Sequence, residues 1–381
     1  MKINIIGGGP SGLYFGLLMK KADPRHDITI YERNAPDSTF GWGVVFSGKT
    51  LSNLLEADVE SHDRIAASFA LWDNVDVVHR AEKISVHGNR FSGIARIELL
   101  NILQERCREL GVELRFNEEA SDVEALAAAA DLLVGADGVN SAVRAHYADN
   151  FRPQIGFAKN RYIWYGTKQL FHGLTLTFRE NANQVFAAHS YKFNQTTSTF
   201  IVECDEATWA AAGFEAMTEA STRAYLEKVF APDLGGHELL SNNSKWINFT
   251  NVRNGRWHHG NVVLLGDALH TAHFSIGSGT KLALEDSIAL FHACQDYAYV
   301  PKALSEFERA RRPVIEDYQA AARDSLEWFE HARDYMHLTP YGLAYSLMTR
   351  SGKIDLDNLR RRDPQFIEAY ERHQEGAAEP A

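Results

Sequence analysis

Cysteine is scarce and scattered. The chain has three, Cys107, Cys204 and Cys294; none form a CxxC pair or sit at metal-ligand spacing, which excludes a disulfide framework, a dithiol redox centre and a cysteine metal site and points to a reducing, cytoplasmic setting. Positive charge is also in deficit. Lys and Arg total 39 against 50 Asp and Glu, a formal net charge of −11, whereas a nucleic-acid or anionic-membrane surface needs a net basic face; neither nucleic acid nor membrane is an expected partner. No stretch reaches the ~18 uninterrupted apolar residues of a membrane span. The apolar run after Lys2 superficially resembles a signal peptide, but Gly7, Gly8, Gly9 and Pro10 interrupt it and no A-x-A site follows, so it is expected to be structure. There is no internal repeat.

What remains is a chain of 381 residues with 45% apolar and 23% charged content, ample for a large buried core. At roughly 150 residues per domain, two or so domains are expected. Lys2 to Ile6 is a short apolar run ending in glycines, Ser11 to Lys21 has helical periodicity, and Asp27 to Tyr31 is β-branched, so the chain opens on a βαβ unit. After polar segments to about Arg80, Arg96 to Leu110 reads as a helix, Val112 to Phe116 as a strand, Asp122 to Ala130 as a helix and Leu132 to Gly135 as a buried strand. That alternation predicts a parallel sheet covered by helices. Between Arg161 and Cys204 the pattern changes to aromatic and β-branched runs separated by turns, as in an antiparallel sheet. Val262 to Leu265 returns to a buried strand and Lys281 to Cys294 to a helix. The expected fold is therefore α/β: a Rossmann-like dinucleotide-binding domain over 1–155 and 252–331, a mainly antiparallel β-sheet substrate domain inserted at 156–251, and C-terminal helices and tail over 332–381.

Gly7-Gly8-Gly9-Pro10-Ser11-Gly12 matches G-x-G-x-x-G between a strand and a helix, the context that gives the pattern meaning. Gly7 permits the tight turn, Gly9 lets the backbone approach a pyrophosphate, and Gly12 lets helix and strand pack closely. The helix N-terminus, with Pro10 and Ser11, offers unpaired N–H groups to phosphate. Glu32, 20 residues beyond Gly12 at the end of the next strand, is the expected acceptor for ribose hydroxyls, with Arg33 beside it. This fingerprint establishes a dinucleotide without choosing between FAD and NAD.

Two further motifs choose. Leu132-Leu133-Val134-Gly135-Ala136-Asp137-Gly138, with Ser141 and Arg144, is an apolar strand ending in an Asp-Gly turn. Val262-Val263-Leu264-Leu265-Gly266-Asp267-Ala268 repeats that logic and is followed by His270, Gly277, Gly279, Thr280 and a helix. Ligands of open α/β sheets collect at the carboxyl ends of strands. Three such ends converge on one crevice, where Asp267 can accept from a ribitol hydroxyl and the Gly277–Gly279 helix start faces the flavin.

Together the three motifs resemble the single-component flavoprotein aromatic hydroxylases of the p-hydroxybenzoate hydroxylase type, over roughly residues 1 to 330. The resemblance implies FAD contacts at Gly9, Gly12, Glu32, Arg96 and Asp267, with Asp137 and Gly138 serving the pyrophosphate region and nicotinamide-nucleotide binding. Where that family often carries a proline and an asparagine around the last motif, this chain has His273, Phe274, Thr280 and Lys281. The segments Phe40–Ser47, Ile163–Thr167, Ser198–Glu203 and His273–Gly277 are similar to those of hydroxylases acting on aromatic acyl-CoA thioesters, the salicylyl-CoA 5-hydroxylases and the N-terminal half of anthraniloyl-CoA monooxygenases, and to the hydroxylase of violacein biosynthesis. Because the chain lacks the second half of the anthraniloyl-CoA enzymes, a stand-alone salicylyl-CoA type is expected.

What the resemblance implies chemically is that NADH or NADPH reduces FAD, O₂ adds, and a flavin C4a-hydroperoxide hydroxylates an electron-rich ring carbon in the catabolism of an aromatic compound. For salicylyl-CoA that carbon is C5, para to the hydroxyl, and the product is gentisyl-CoA. The protein supplies a dry pocket, orientation and proton management. Trp42, Phe46, Trp164 and Tyr165 are the candidates for its apolar wall and His273 and Phe274 for the reacting face, while His270 occupies the place of a structural histidine in the family and His189 and Tyr191 lie on the sheet that roofs the substrate. The clusters Arg309, Arg311, Arg312 and Arg360–Arg362 are the basic groups available to a CoA phosphate, although such runs are usually solvated helix faces. A monomer or homodimer is expected, with no metal. Indoles, anthraniloyl-CoA and a same-fold flavin reductase are the competing readings.

Overall fold

The computed structural model describes residues 1–181 and 183–378. Its first sheet grows from the opening βαβ unit. The strand Lys2–Ile6 buries Ile3, Ile5 and Ile6, and Pro10 starts the helix Pro10–Ala22 at a position where its missing N–H costs nothing. The strand Asp27–Glu32 then returns parallel to the first, from Lys2 opposite Asp27 to Ile6 opposite Tyr31. Six strands line up in the order His258–His259, Val262–Leu264, Leu132–Gly135, Lys2–Ile6, Asp27–Glu32, Glu113–Phe116, parallel except for the short edge strand His258–His259. Leu132–Gly135 and Val262–Leu264 are neighbours in space although far apart in sequence. The chain thus leaves this sheet after Gly135 and re-enters it only at His258.

Between those points it builds most of an eight-stranded sheet. The long strand Pro153–Thr167 pairs antiparallel with Ser198–Cys204, which pairs with Gln184–Lys192 and that with Leu174–Asn181. Here the structure corrects the expected boundary. Val75–His79 and Glu82–Val86, assigned by sequence to the first unit, belong to this second sheet, and Val75–His79 runs parallel to Leu174–Asn181. Their alternating apolar residues Val75, Val77, Ile84 and Val86 need a core, and they find it with Leu176, Phe178 and the C-terminal residues Trp328, Phe329 and Leu343. The C-terminal helix Pro340–Thr349 is therefore packed on this second sheet and is not an appendage. A small three-stranded sheet of Gly43–Ser47, Phe91–Ala95 and Ala70–Trp72 lies beside the other two. The polar stretch before Arg80 also folds into two helices, Gly48–Ala57 and Val59–Ala67, the second capped by Asp58, whose carboxylate accepts from the Ser61 N–H at 2.9 Å.

Among the described residues no helix is long and apolar enough to cross a membrane, and no group of three or more His, Cys, Asp or Glu is placed to hold a metal ion.

Candidate active site

The glycines of the first turn divide by what surrounds them. Gly7 sits at φ 114°, and a Cβ there would lie 2.1 Å from the Ala136 carbonyl oxygen; one on Gly12 would lie 2.1 Å from the Gly7 carbonyl. Both positions are closed by backbone, which is why strand, turn and helix can pack so closely. Gly9 differs: a Cβ there meets nothing within 4 Å. It faces open space at the start of a helix whose N-terminal groups no side chain caps. The same holds for the helix Gly279–Asp296, where Ser278 Oγ turns back to the Ile276 carbonyl at 3.2 Å and leaves the first-turn N–H groups of Gly279 and Thr280 free. The two helices pack on each other, and Gly266, at φ 59°, lies between Ser11 of one and Ala283 of the other. Two helix starts without side-chain caps among the described residues, with the open Gly9, Gly138 and Gly277, could hold the phosphates of a dinucleotide.

The polar side chains divide in the same way. Glu32 is held in place: Oε2 accepts from Gly8 N–H at 2.8 Å, and Oε1 accepts from the backbone and side-chain N–H groups of Asn34 at 2.8 and 2.7 Å. Arg33 next to it is exposed. The Arg96 and Asp267 side chains face each other's charge, yet neither makes a side-chain hydrogen bond among the described residues. Asp267 is exposed at the cleft and Arg96 is half-buried; the dense protein around them raises the Asp267 carboxyl above its usual range against the pull of Arg96 and lowers the Arg96 guanidinium. An acid and a base without side-chain partners could hold the polar atoms of a ligand. Asp137, expected as a cofactor contact, is half-buried and holds its own turn. Oδ1 accepts from Ser141 O–H at 2.6 Å and Oδ2 from the Ala142 and Val143 N–H groups at 2.6 and 3.2 Å, which fixes the Asp-Gly turn. Arg144, buried, donates to the Ala268 and Val139 carbonyls and so ties the Asp-Gly turn to the Gly-Asp segment.

The aromatic wall is built from tryptophans lying on glycines. A Cβ on Gly41 would come within 2.7 Å of the Trp164 ring, and one on Gly166 within 2.8 Å of the Trp42 ring. Each indole therefore lies flat on the other's backbone, and Trp164 Nε1 donates to Thr199 Oγ1 at 3.0 Å. Both tryptophans stay half-buried. Phe46 and Tyr165, expected beside them, are fully buried, Phe46 in the core of the first unit and Tyr165 behind the substrate sheet. Having no accessible surface, they touch no ligand. Tyr165 fails because side chains alternate along a strand, so it points away from the face that carries Trp164. That face carries Tyr162 instead, which sequence reasoning missed; the period of two supplied the signal. Its ring lies 4.7 Å from that of Phe274, and burial together with the charge of Asp267 pushes its phenol up to about 12. Phe249, 4.9 Å from the ring of His273, was missed as well.

His273 is buried, with Nδ1 2.8 Å from Ser275 Oγ, and burial and the nearby charges of His189 and Arg350 hold its imidazole well below the usual range. Phe274 beside it is half-buried. His270 is tied into a structural network: Nε2 lies 2.6 Å from Asp286, which also accepts from Arg311 at 2.7 Å, and Arg311 reaches Glu285 at 3.1 Å. With Arg309 on Glu306 and Arg312 on Glu308, the 309–312 cluster is occupied by acids. Arg360 pairs with Asp357 and Glu371. Tyr191 is buried and donates to the Gly43 carbonyl at 2.8 Å, so it positions the tryptophan loop from below.

A parallel sheet opening on a glycine-rich turn, joined to a second, mainly antiparallel sheet, is the architecture of a flavoprotein. A family model described as FAD binding domain matches residues 1–322, and the chain belongs to that family. It is 41% identical to a salicyloyl-CoA 5-hydroxylase of Streptomyces sp over 97% of this chain and 73% of that protein. It is 38% identical to protodeoxyviolaceinate monooxygenase of Chromobacterium violaceum, over 89% and 91% of the two chains. A crystal structure of 2-methyl-3-hydroxypyridine-5-carboxylic acid oxygenase shares the fold, with a TM-score of 0.72 at 18% identity, covering 95% of this chain and 98% of that one. The protein is an FAD-dependent aromatic monooxygenase, with NAD(P)H as the reductant typical of its family.

Proposed function

We propose that this monooxygenase hydroxylates an aromatic ring presented as a CoA thioester, and that its reaction is 5-hydroxylation of salicylyl-CoA to gentisyl-CoA. The observation that carries the reading is 41% identity to a salicyloyl-CoA 5-hydroxylase sustained over 97% of the chain. In this reading Gly9 and the two uncapped helix starts hold the FAD pyrophosphate, Glu32 a ribose, and Asp267 and Arg96 the polar atoms nearer the ring system. Bound FAD supplies the electron transfer and oxygen activation. The chain's own part is the rest: Trp42, Trp164, Tyr162 and Phe274 give the ring a flat apolar slot, exclude water and aim the carbon para to the substrate hydroxyl, where that hydroxyl donates electron density.

The test is an oxygen-electrode screen of the purified protein with NADH or NADPH against salicylyl-CoA, anthraniloyl-CoA, free salicylate and tryptophan-derived indoles. Salicylyl-CoA is expected to stimulate oxygen uptake most and to yield gentisyl-CoA. Stimulation by free salicylate and not by its thioester would sink the assignment, and preference for an indole would move the protein to the violacein-type branch.

A further inference from the structure

The turn that brings Phe274 to the aromatic wall does not hold itself. Phe274–Ile276 is a three-residue 3-10 turn closed by Gly277 at φ 61°. Its own backbone bonds run from the Gly277 N–H to the Phe274 carbonyl at 2.8 Å and from the Ile276 N–H to the His273 carbonyl at 3.3 Å. So short a piece, with the poor bond geometry of its kind, takes its position from what is bound to it. Two side chains do the binding, Ser325 of the helix Val300–Glu330 and Arg350 just after the helix Pro340–Thr349. Both lie beyond residues 1–322, where the family model ends.

Arg350 spreads its planar fork in three directions. Nη1 donates to the Leu347 carbonyl at its own helix end at 2.6 Å, Nη2 to the Ser275 carbonyl at 2.7 Å, and Nε to Ser325 Oγ at 2.8 Å. Its guanidinium lies 5.5 Å over the Phe329 ring, and Glu203, a buried acid on the strand Ser198–Cys204, supports its charge. From Ser325 the bonds continue inward through buried groups: Ser325 Oγ to Ser275 Oγ at 2.8 Å, and Ser275 Oγ to His273 Nδ1 at 2.8 Å. Arginine only donates, and that gives the chain its direction. Ser325 accepts from Arg350 and donates to Ser275, which donates to His273 Nδ1. The same nitrogen accepts from the Ser275 N–H at 3.4 Å, so it carries no proton. Burial and the charges of His189 and Arg350 keep the imidazole neutral; its one proton is therefore on Nε2, which faces Glu203 Oε2 at 4.0 Å.

We propose that Arg350 is a positioning residue for the hydroxylation: acting through Ser325 and Ser275, it fixes His273 in its Nε2–H form and holds Phe274 in place on the aromatic wall. The inference rests on the hydroxylase reading, in which that wall aims the ring carbon. Arg350 itself is given no contact with substrate. Its leverage comes from the packing of the turn, because the Phe274 ring lies 4.7 Å from that of Tyr162 and 4.2 Å from that of His273. Releasing the Ser275 carbonyl frees the middle of the turn, and both rings move with it. A displacement of about 1 Å at a reacting geometry can cost on the order of 100-fold in rate. Bonds from a charged donor are also about twice as strong as neutral ones, so no uncharged side chain at this position replaces the fork.

Arg350→Met removes the donors and keeps most of the stem. The measure is coupling, the hydroxylated product formed per NAD(P)H oxidised with salicylyl-CoA, a ratio that does not depend on how much of the protein is folded. Expected is a kcat for hydroxylation lower by about 10- to 100-fold and a coupling ratio lower by about twofold or more, with hydrogen peroxide accounting for the difference. Wild-type kcat and coupling would overturn the proposal. Should that variant fail to fold for want of a cation beside Glu203, Ser325→Ala breaks the chain at its middle and leaves every charged group in place; reduced coupling supports the proposal and unchanged coupling overturns it. Nitrogen-15 NMR of histidine-labelled protein gives a readout free of turnover. His273 should show a bare Nδ1 and a protonated Nε2 in the wild type, and its Nδ1 resonance should shift in Ser325→Ala. A protonated Nδ1 in the wild type, or identical resonances in the two proteins, would refute the chain. If the wild type consumes no oxygen with any aromatic, the hydroxylase reading fails on its own, and the NMR result still decides whether the Arg350 chain sets His273.

Discussion

Gly9 and Gly12 belong to the same fingerprint, yet the structure predicts opposite consequences for the same substitution. An alanine Cβ at Gly12 would sit 2.1 Å from the Gly7 carbonyl oxygen, with Ile5 and Ala136 side chains at 3.1 and 3.3 Å behind it. Backbone has to move, and overpacking of that kind costs about 1–3 kcal/mol or more, more than the roughly 1 kcal/mol that alanine gains over glycine in a helix. Gly9 is at φ −78°, which alanine adopts freely, and its Cβ enters open space, so the apoprotein should stay within about 0.5 kcal/mol of wild type. What Gly9→Ala does is put a methyl group where the pyrophosphate approaches, and an affinity loss of tenfold or more, about 1.4 kcal/mol, is expected. Thermal unfolding of apoprotein and fluorescence titration with FAD separate the two effects. Gly9→Ala should lower FAD affinity without moving the apoprotein Tm, and Gly12→Ala should lower the Tm itself. A Gly9→Ala protein that binds FAD as tightly as wild type would refute the assignment of this cleft.

Asp267→Asn should weaken FAD binding by about 10- to 100-fold, the value of a hydrogen bond to a charged group, with flavin retention on a desalting column as the measure; unchanged retention would remove Asp267 from the site. Arg311→Met removes one cation from both Asp286 and Glu285, leaving only His270 on the first and Lys281 on the second, and should destabilise the protein by about 2–4 kcal/mol, read by urea unfolding. Burial alone would raise the Asp58 carboxyl, but the bonds from Lys21, Ser61 and Arg106 outweigh it and hold the group at about 2, below its ordinary 3.8. A depressed carboxyl stabilises the fold above its unfolded value and loses that contribution as pH falls, so about 2 kcal/mol should disappear between pH 4 and 2 in the wild type and be missing from Asp58→Asn at pH 7.

The parts of the site that could be read from sequence are those where a residue type is forced by backbone geometry. Gly7 and Gly12 are closed by carbonyl oxygens, and Pro10 and the strand-end position of Glu32 follow from the βαβ unit, so the backbone of the glycine-rich turn was legible in the sequence. The antiparallel character of the second sheet was legible from its alternating runs. Its full extent was not: Val75–His79 and Glu82–Val86 join it through a parallel contact with Leu174–Asn181, and a pairing between strands so far apart along the chain leaves no local trace. The helices between Gly48 and Ala67 escaped for a different reason. Short and mostly exposed, they are held by a cap at Asp58 and by packing on the first unit, and tertiary contact supplies most of the stability of such helices.

The pocket was harder to read because an aromatic residue carries no label for the face it occupies. Trp164 and Tyr165 are adjacent, so a flat sheet can present only one of them to a ligand, and choosing both broke the period of two that the sheet imposes. Applied strictly, the same period groups Tyr162 and Trp164 on one strand with Thr199 and Glu203 on the next, because Tyr162 pairs with Glu203 and Gly166 with Thr199 in register. It therefore recovers a residue of the aromatic wall, the hydroxyl that holds an indole and the buried acid together. Asp137 shows the complementary case. A carboxylate at the end of a strand is equally suited to a ligand and to the free N–H groups of the helix that follows, and here three donors from the protein claim it first. Asp267 follows a neighbouring strand and its side chain makes no hydrogen bond among the described residues, a difference between two nearly identical motifs that only the fold around each one sets.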